Sequence, residues 1–273
     1  MNWHYYNHAM IPDCAPHEKI DMSCLEDGSI WKYRKSTFFV RWTTDFDCGY
    51  ETNWWYIIKD QPFDISFLKA KRRYEINKGK RYFDIKLIDP SKYREKLYDV
   101  QVAAFSAYPE KYRPTVNKEQ FFNSINNWDK YIVYGAFHKE TGELCGYSLL
   151  KKINDLCIDF SVQKTNPEFE RYAINAALIA KILDDHNEFL SNGGYICDGT
   201  RSVNHETKFQ DYLEKYFDFR KAYCELHIEY NLKIKWIIYF LYPFRFLLKK
   251  FDNFGVVHQL NAVLKMEEIV RGK

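Results

Sequence analysis

Between Tyr131 and Gln163 the chain reads as three strands in close succession, and that run decides what kind of sheet it can build. Tyr131–His138 passes through Lys139-Glu-Thr-Gly-Glu143 into Leu144–Lys151. This is an antiparallel hairpin in which Gly142 supplies the turn. A short Asn-Asp turn leads on to Asp155–Gln163. Helical patterns flank this meander on both sides. Upstream, Asp64 offers an N-cap to a basic helix marked by Leu68, Tyr74 and Ile76 and ending near Gly79. Ser91–Tyr108 carries a stripe of Tyr93, Leu97, Val100 and Ala104, and Asn117–Trp128 opens on a capping box of Asn117 and Gln120. Downstream, Pro167 opens a helix predicted to reach about Phe189, and His205–Lys215 is helical.

Further strands are expected at Ser36–Thr44, Asn53–Lys59, Tyr82–Ile88, Tyr195–Asp198 and Phe219–Tyr230, all rich in aromatic and β-branched residues. Residues 1–35 show no firm pattern, and the tail from Lys233 is helical, broken at Pro243. The order predicts an α/β fold with a mixed sheet, helices on both faces and a helical C-terminal tail. Three segments are expected: an aromatic-rich extension over 1–52, one domain over 53–232 and the tail over 233–273. Aromatic side chains make up 18% of the 273 residues, which suits a thick core and large clefts.

Net charge is only +3, but it is unevenly spread. Residues 61–96 carry 11 basic and 5 acidic side chains, and the tail from Lys233 carries 8 and 3, while 97–232 is acidic. Two basic segments beside an acidic body suit an anionic ligand met locally, although a charge run is often only a solvated face. The densest stretch is Lys69–Arg81, where Arg72, Arg73 and Lys78 are candidates to hold the phosphates of tRNA, a nucleotide-linked sugar or a lipid pyrophosphate. The seven cysteines form no C-x-x-C pair, and the start lacks a basic region followed by an apolar run. Reduced thiols and a cytoplasmic setting are therefore expected. His4, His8, Cys14, His17 and Cys24 crowd 21 residues but lack a C-x2-C partner, and no metal is expected.

Three features resemble the GNAT superfamily of acyltransferases, and more closely its FemABX-like, lipid II aminoacyl-transferase branch. The basic run Leu68–Arg81 passes at once into the strand Tyr82-Phe-Asp-Ile-Lys86. The hairpin Val133–Leu150 is followed by Cys157-Ile-Asp-Phe-Ser-Val162. Asn175-Ala-Ala-Leu-Ile179 precedes Tyr195-Ile-Cys-Asp-Gly-Thr200. The resemblance covers about residues 55–230. It implies a GNAT-like fold and transfer of an acyl or aminoacyl group onto an amine of a cell-envelope or polysaccharide precursor. The donor would be acyl-CoA or aminoacyl-tRNA, and the acceptor anionic or lipid-linked, with Asn175 among the substrate contacts. Acetyl-CoA users carry a glycine-bearing pyrophosphate loop before the helix. Here Gln163–Arg171 holds no glycine and two carboxylates, which fits an aminoacyl-tRNA donor better.

Asp159 stands in an otherwise apolar strand, either as a general base or as half of an ion pair. Asp198-Gly-Thr-Arg201 falls at the C-terminal end of a strand, where open α/β sheets bind ligands. Arg201 would clamp an anion and Asp198 orient it or move a proton, unless the four residues are only a turn. Tyr112 and Arg113 lie in a proline-punctuated loop long enough to cover a cleft. Within Trp236–Leu248 only Arg245 is charged, and Lys249-Lys250 follow. That stretch is too short to span a bilayer. Residues 236–250 suit a helix lying in a membrane interface at the inner face, or a helix pair packed over the sheet. A catalytically silent binding module on a membrane or polyanion is the alternative to a transferase.

Overall fold

The computed structural model describes residues 3–108, 110, 113–203 and 208–272. In chain order the first elements are β1 (Trp3–Tyr6), β2 (Ala9–Pro12), α1 (Ser23–Glu26), α2 (Ile30–Tyr33), β3 (Phe39–Thr44) and β4 (Trp54–Lys59). Next come α3 (Ala70–Tyr82), β5 (Phe83–Leu87), α4 (Arg94–Ser106), α5 (Lys118–Ile125) and the meander β6 (Tyr131–His138), β7 (Leu144–Lys152) and β8 (Cys157–Thr165). The remainder is α6 (Ile174–Asp185), α7 (Asn187–Ser191), β9 (Tyr195–Thr200), α8 (Lys208–Phe217), β10 (Arg220–Tyr230), α9 (Leu232–Leu241), α10 (Arg245–Leu248) and α11 (Gly255–Arg271).

The chain divides into two compact units at points other than the expected boundaries. The first gathers Met1–Ile57, Thr200–Lys208 and Lys221–Lys273; the second gathers Ile58–Gly199 and Phe209–Arg220. In the second unit, β5, β6, β7 and β8 pair antiparallel in sequence order, and β9 joins β8 in parallel. The parallel pair needs a crossover, which α6 and α7 supply. Leu97 and Val100 of α4 pack with Ile125, Trp128, Val133, Phe137, Leu144, Tyr147 and Leu149 into one core cluster. Helix α6 buries eight of its twelve residues, so its apolar run reads as interior rather than amphipathic.

Helix α3 departs from its expected outline. Asp64 caps a short 3-10 turn at Ile65–Phe67, α3 begins after it, and the helix runs past Gly79 to Tyr82. Its buried stripe is Arg72, Ile76 and Gly79, while Tyr74 is exposed. Gly79 does not end the helix because its missing side chain serves packing. A Cβ there would stand 2.6 Å from Ala177 Cβ and 2.7 Å from Ala173 O, so α3 crosses the start of α6 backbone to backbone.

The helix expected from Pro167 also begins later. Pro167–Tyr172 winds as a 3-10 turn capped by the Asn166 side chain. Ala173 then takes a left-handed conformation at φ +62°, and α6 starts at Ile174. The Asn117 cap on Gln120 N–H and the Gly142 turn form as expected.

In the first unit, β1 and β2 pair antiparallel, β2 joins β3 in parallel and β3 pairs antiparallel with β10. The N-terminal stretch without a sequence pattern thus contributes two strands. Trp3, Met10, Leu25, Ile30 and Val40 form one core cluster, and Ala9, Phe39, Trp54, Cys224, Leu226 and Met266 another. All seven cysteines are free thiols.

Candidate functional site

Two constellations in the second unit carry chemistry. The first lies where β8 and β9 part. Their parallel ladder covers only Cys157–Asp159 against Tyr195–Cys197, although β8 runs on to Thr165. Such a parting at the carboxyl ends of parallel strands opens a crevice for ligands. Asp159 and Asp198 sit at this point. The register of β7 on β8 also slips here: Leu149 faces Val162 and Leu150 faces Phe160, which leaves Ser161 as the extra residue of a bulge. The Ser161 hydroxyl donates to the Asp159 carboxylate.

Both carboxyls are perturbed in the same direction. Burial raises Asp159, against the Ser161 hydrogen bond and the Lys151 charge. Burial pushes Asp198 up to about 8, against a hydrogen bond from Gln210 and with added repulsion from Asp159. Gln210 of α8 also donates to the Asp198 carbonyl at 3.2 Å. Two neighbouring acids in a site poor in water do not both ionise at neutral pH, so one holds a proton that it can release.

The second constellation is a cleft of about 410 Å³ walled by α3, the turn before α6, the first turn of α6 and α8. Helix α3 gives it Lys71, Tyr74, Glu75 and Lys78, which share one face because they recur at three- and four-residue steps. Glu170, Arg171 and Asn175 come from the turn and α6, and Tyr212 from α8. Asn175 is held by its oxygen: Oδ1 accepts from Gln163 Nε2 at 2.8 Å and from Thr165 Oγ1 at 3.2 Å. Ser148 donates in turn to Gln163 Oε1 at 3.1 Å, so a polar chain runs from β7 through β8 to the cleft wall.

Of the residues singled out in the sequence, Asp159 and Asp198 both stand at the strand parting, close enough for the charge of one to raise the other, and Lys78 and Asn175 line the cleft. Arg72 does not line it. It is buried, pairs with Glu75 at 2.5 Å, donates to the Tyr212 hydroxyl at 2.9 Å and lies 3.8 Å over the Tyr216 ring. It therefore braces two cleft-lining residues from behind. Arg73 is exposed and donates to the carbonyls of Ser66 and Leu68 at 3.1 and 2.9 Å, holding the turn before α3. Arg113 donates to the carbonyls of Ser106 and Tyr108 at 3.1 and 3.2 Å, capping the end of α4. Tyr112 lies outside the described residues. Arg201 belongs to the first unit, where it donates to the Asn53 carbonyl at 2.6 Å and stacks 4.5 Å from the Trp55 ring.

Sequence reasoning missed Ser161, Gln210, Arg171 and Tyr212. A bulge leaves no mark in single-strand periodicity, and the other three reach the site only through tertiary placement. Lys71 sat inside the basic run without being distinguished from its neighbours.

No family model matches the sequence, and no curated protein matches it. Solved structures do. A conserved protein of unknown function from Bacteroides thetaiotaomicron superposes with a TM-score of 0.52 at 11% identity, over 81% of this chain and 78% of that one. Other matches are FemX, at a TM-score of 0.47, 10% identity and 74% of each chain, and a domain from Agrobacterium fabrum. The latter is the C-terminal domain of a putative lysylphosphatidylglycerol synthetase, at 0.47 and 8% over 85% of this chain and 81% of that one. At such identities the likeness concerns the fold alone.

Proposed function

We propose that the protein transfers an acyl or aminoacyl group onto an amine of a cell-envelope or polysaccharide precursor. The observation that carries this reading is the pair of perturbed carboxyls at the parting of β8 and β9. Amide formation needs a proton taken from the attacking amine. An acid with its pKa pushed up to about 8 is matched to that task near neutral pH. In the fraction ionised near neutral pH Asp198 is the proton acceptor; burial raises it, and repulsion from Asp159, which carries the Ser161 hydroxyl on its carboxylate, adds to the shift. Lys71, Lys78 and Arg171 hold the anionic part of a substrate in the cleft, and Asn175 orients it.

The turn before α6 supports an aminoacyl-tRNA donor over acyl-CoA. It carries Glu168 and Glu170 and no glycine, so a pyrophosphate there meets like charge without a backbone cradle. The test is turnover of aminoacyl-tRNA and of acyl-CoA with candidate amines. Asp198→Asn is expected to lower kcat by at least about 100-fold, in the range of a lost acid or base, with KM little changed. No transfer by the intact protein from either donor class refutes the reading.

The tail supports a second reading, a binding module at an anionic membrane surface. Trp236 is 61% exposed and Phe246 66%, and Phe240, Leu247 and Phe251 are also open to solvent. Lys233, Lys235, Arg245, Lys249 and Lys250 stand among them, with no acid between Lys233 and Phe251. Exposed apolar side chains with a basic rim are the makeup of an interfacial helix. No helix among the described residues is long and apolar enough to cross a membrane. Co-sedimentation with phosphatidylglycerol vesicles at low salt, set against phosphatidylcholine vesicles, tests it. Trp236→Ser with Phe240→Ser is expected to release the protein. Vesicle binding without transfer favours the module, and equal neglect of both vesicles removes it.

A further inference from the structure

Arg41 of β3 is the point of departure, and it stands in the first unit, apart from the residues assigned to transfer. Its guanidinium is largely withdrawn from water, and burial pulls its pKa down from the ordinary arginine value. A guanidinium offers five N–H donors, and one desolvated without an acid is costly to keep. Among the described residues Arg41 has no carboxylate partner. Its contacts are the thioether of Met266, at 3.6 Å from Nη1, and the Trp54 ring, whose centroid is 5.5 Å away. Neither can accept several hydrogen bonds.

Beside it is a second buried group without a hydrogen-bond partner. Trp54 is 1% exposed, and its indole Nε1 has no hydrogen-bond partner among the described residues. Arg41 and Trp54 line one small cavity, together with Thr43 and Tyr56, whose hydroxyls bond each other at 3.0 Å. The far wall is the loop after β2, with Cys14, Ala15, Pro16 and Ile20. The walls carry a cation and the hydroxyls of Thr43, Tyr56 and Thr200, and no acidic side chain among the described residues.

We propose that this cavity binds a small oxyanion, a carboxylate or a phosphoryl group, held by the Arg41 guanidinium. The volume sets the ligand's size. About 50 Å³ is room for roughly four water-sized spheres, which suits one such group and excludes a nucleotide. The planar fork of the guanidinium matches oxygens that share one charge. The site is separate from the transferase reading and stands or falls without it.

The experiment follows the melting temperature of the intact chain in sodium phosphate, sodium acetate and sodium chloride at equal ionic strength. At a concentration ten times the dissociation constant, a bound anion raises the Tm of a chain this size by about 2 °C over chloride. A rise with phosphate alone identifies a phosphoryl site, with acetate alone a carboxylate site, and with both a general oxyanion site. Arg41→Met is expected to abolish the rise and to raise the Tm measured in chloride, because the unpaired charge is gone. Should that variant not fold, Arg41→Lys keeps the charge and loses the fork, and the rise falls by about half or more. No rise in the native chain with either anion overturns the proposal. So does an equal rise in the native chain and the Arg41 variants, which places binding elsewhere.

Discussion

Replacing Asp198 by Asn turns a carboxyl with a raised pKa into a neutral group of the same shape, and the effect on stability has a defined sign at each pH. The unfolded chain titrates an aspartate near pH 3.9, whereas the folded protein holds Asp198 protonated up to about 8. Below about pH 4 both states bind the proton, and the folded-state preference for it is fully present. As pH rises through the interval up to 8, the unfolded state has lost the proton while the native state keeps it, so stability falls. The slope is about 1.4 kcal/mol per pH unit, and from pH 3.9 to 7 it sums to about 4 kcal/mol.

Asp198 retains some contact with solvent, and screening halves that figure to about 2 kcal/mol. The amide of Asp198→Asn has no proton to lose. The variant is therefore expected to be more stable than the native protein by about 2 kcal/mol at pH 7, with the gap closing toward pH 4. Urea unfolding of both proteins in half-unit steps between pH 4.5 and 8 reads the difference directly. Asp159 titrates in both proteins and drops out of the comparison to first order. Parallel stability curves across that range refute a raised Asp198, and with it the proton acceptor at the strand parting.

Gly79→Ala is expected to destabilise by up to about 2 kcal/mol. The overpacking against Ala173 O and Ala177 costs about 1–3 kcal/mol and exceeds the gain of about 1 kcal/mol from helix propensity. A rise in urea midpoint shows instead that α3 and α6 have room to separate. Arg72→Ala leaves the Glu75 carboxylate without its partner and opens the space under Tyr216. A loss of about 3–5 kcal/mol is expected by thermal unfolding, and one below about 1 kcal/mol removes Arg72 as the brace of the cleft. Lys78→Ala keeps the fold but is expected to raise KM for the anionic substrate about tenfold with kcat unchanged. A drop in kcat alone places Lys78 outside substrate binding.

Much of the second unit was legible from residues alone. The meander strands, the Asn117 cap and the turn at Gly142 are set by local chemistry: alternation, a side-chain oxygen and a positive φ. Asp159 and Asp198 also stood out, since a carboxylate in an apolar strand or at a strand end is conspicuous wherever it occurs. The first unit was harder. β1 and β2 are four residues each, too short to display a period, and they gain strand character only by pairing with each other and with β3.

Within Lys69–Arg81 the sequence determined that a helix forms and that it is basic. It did not determine which cation turns inward. Lys71 and Lys78 line the cleft and Arg72 is buried because α3 must lay Gly79 against the start of α6, and that contact sets the helix's rotation about its axis. Likewise the sequence placed an arginine in β3, but only the packing of Met266 and Trp54 around it left Arg41 without an acid among the described residues. Local propensity is written residue by residue. The direction in which a charged side chain points, and what it meets there, is settled by which helix backbones and sheet faces can approach one another.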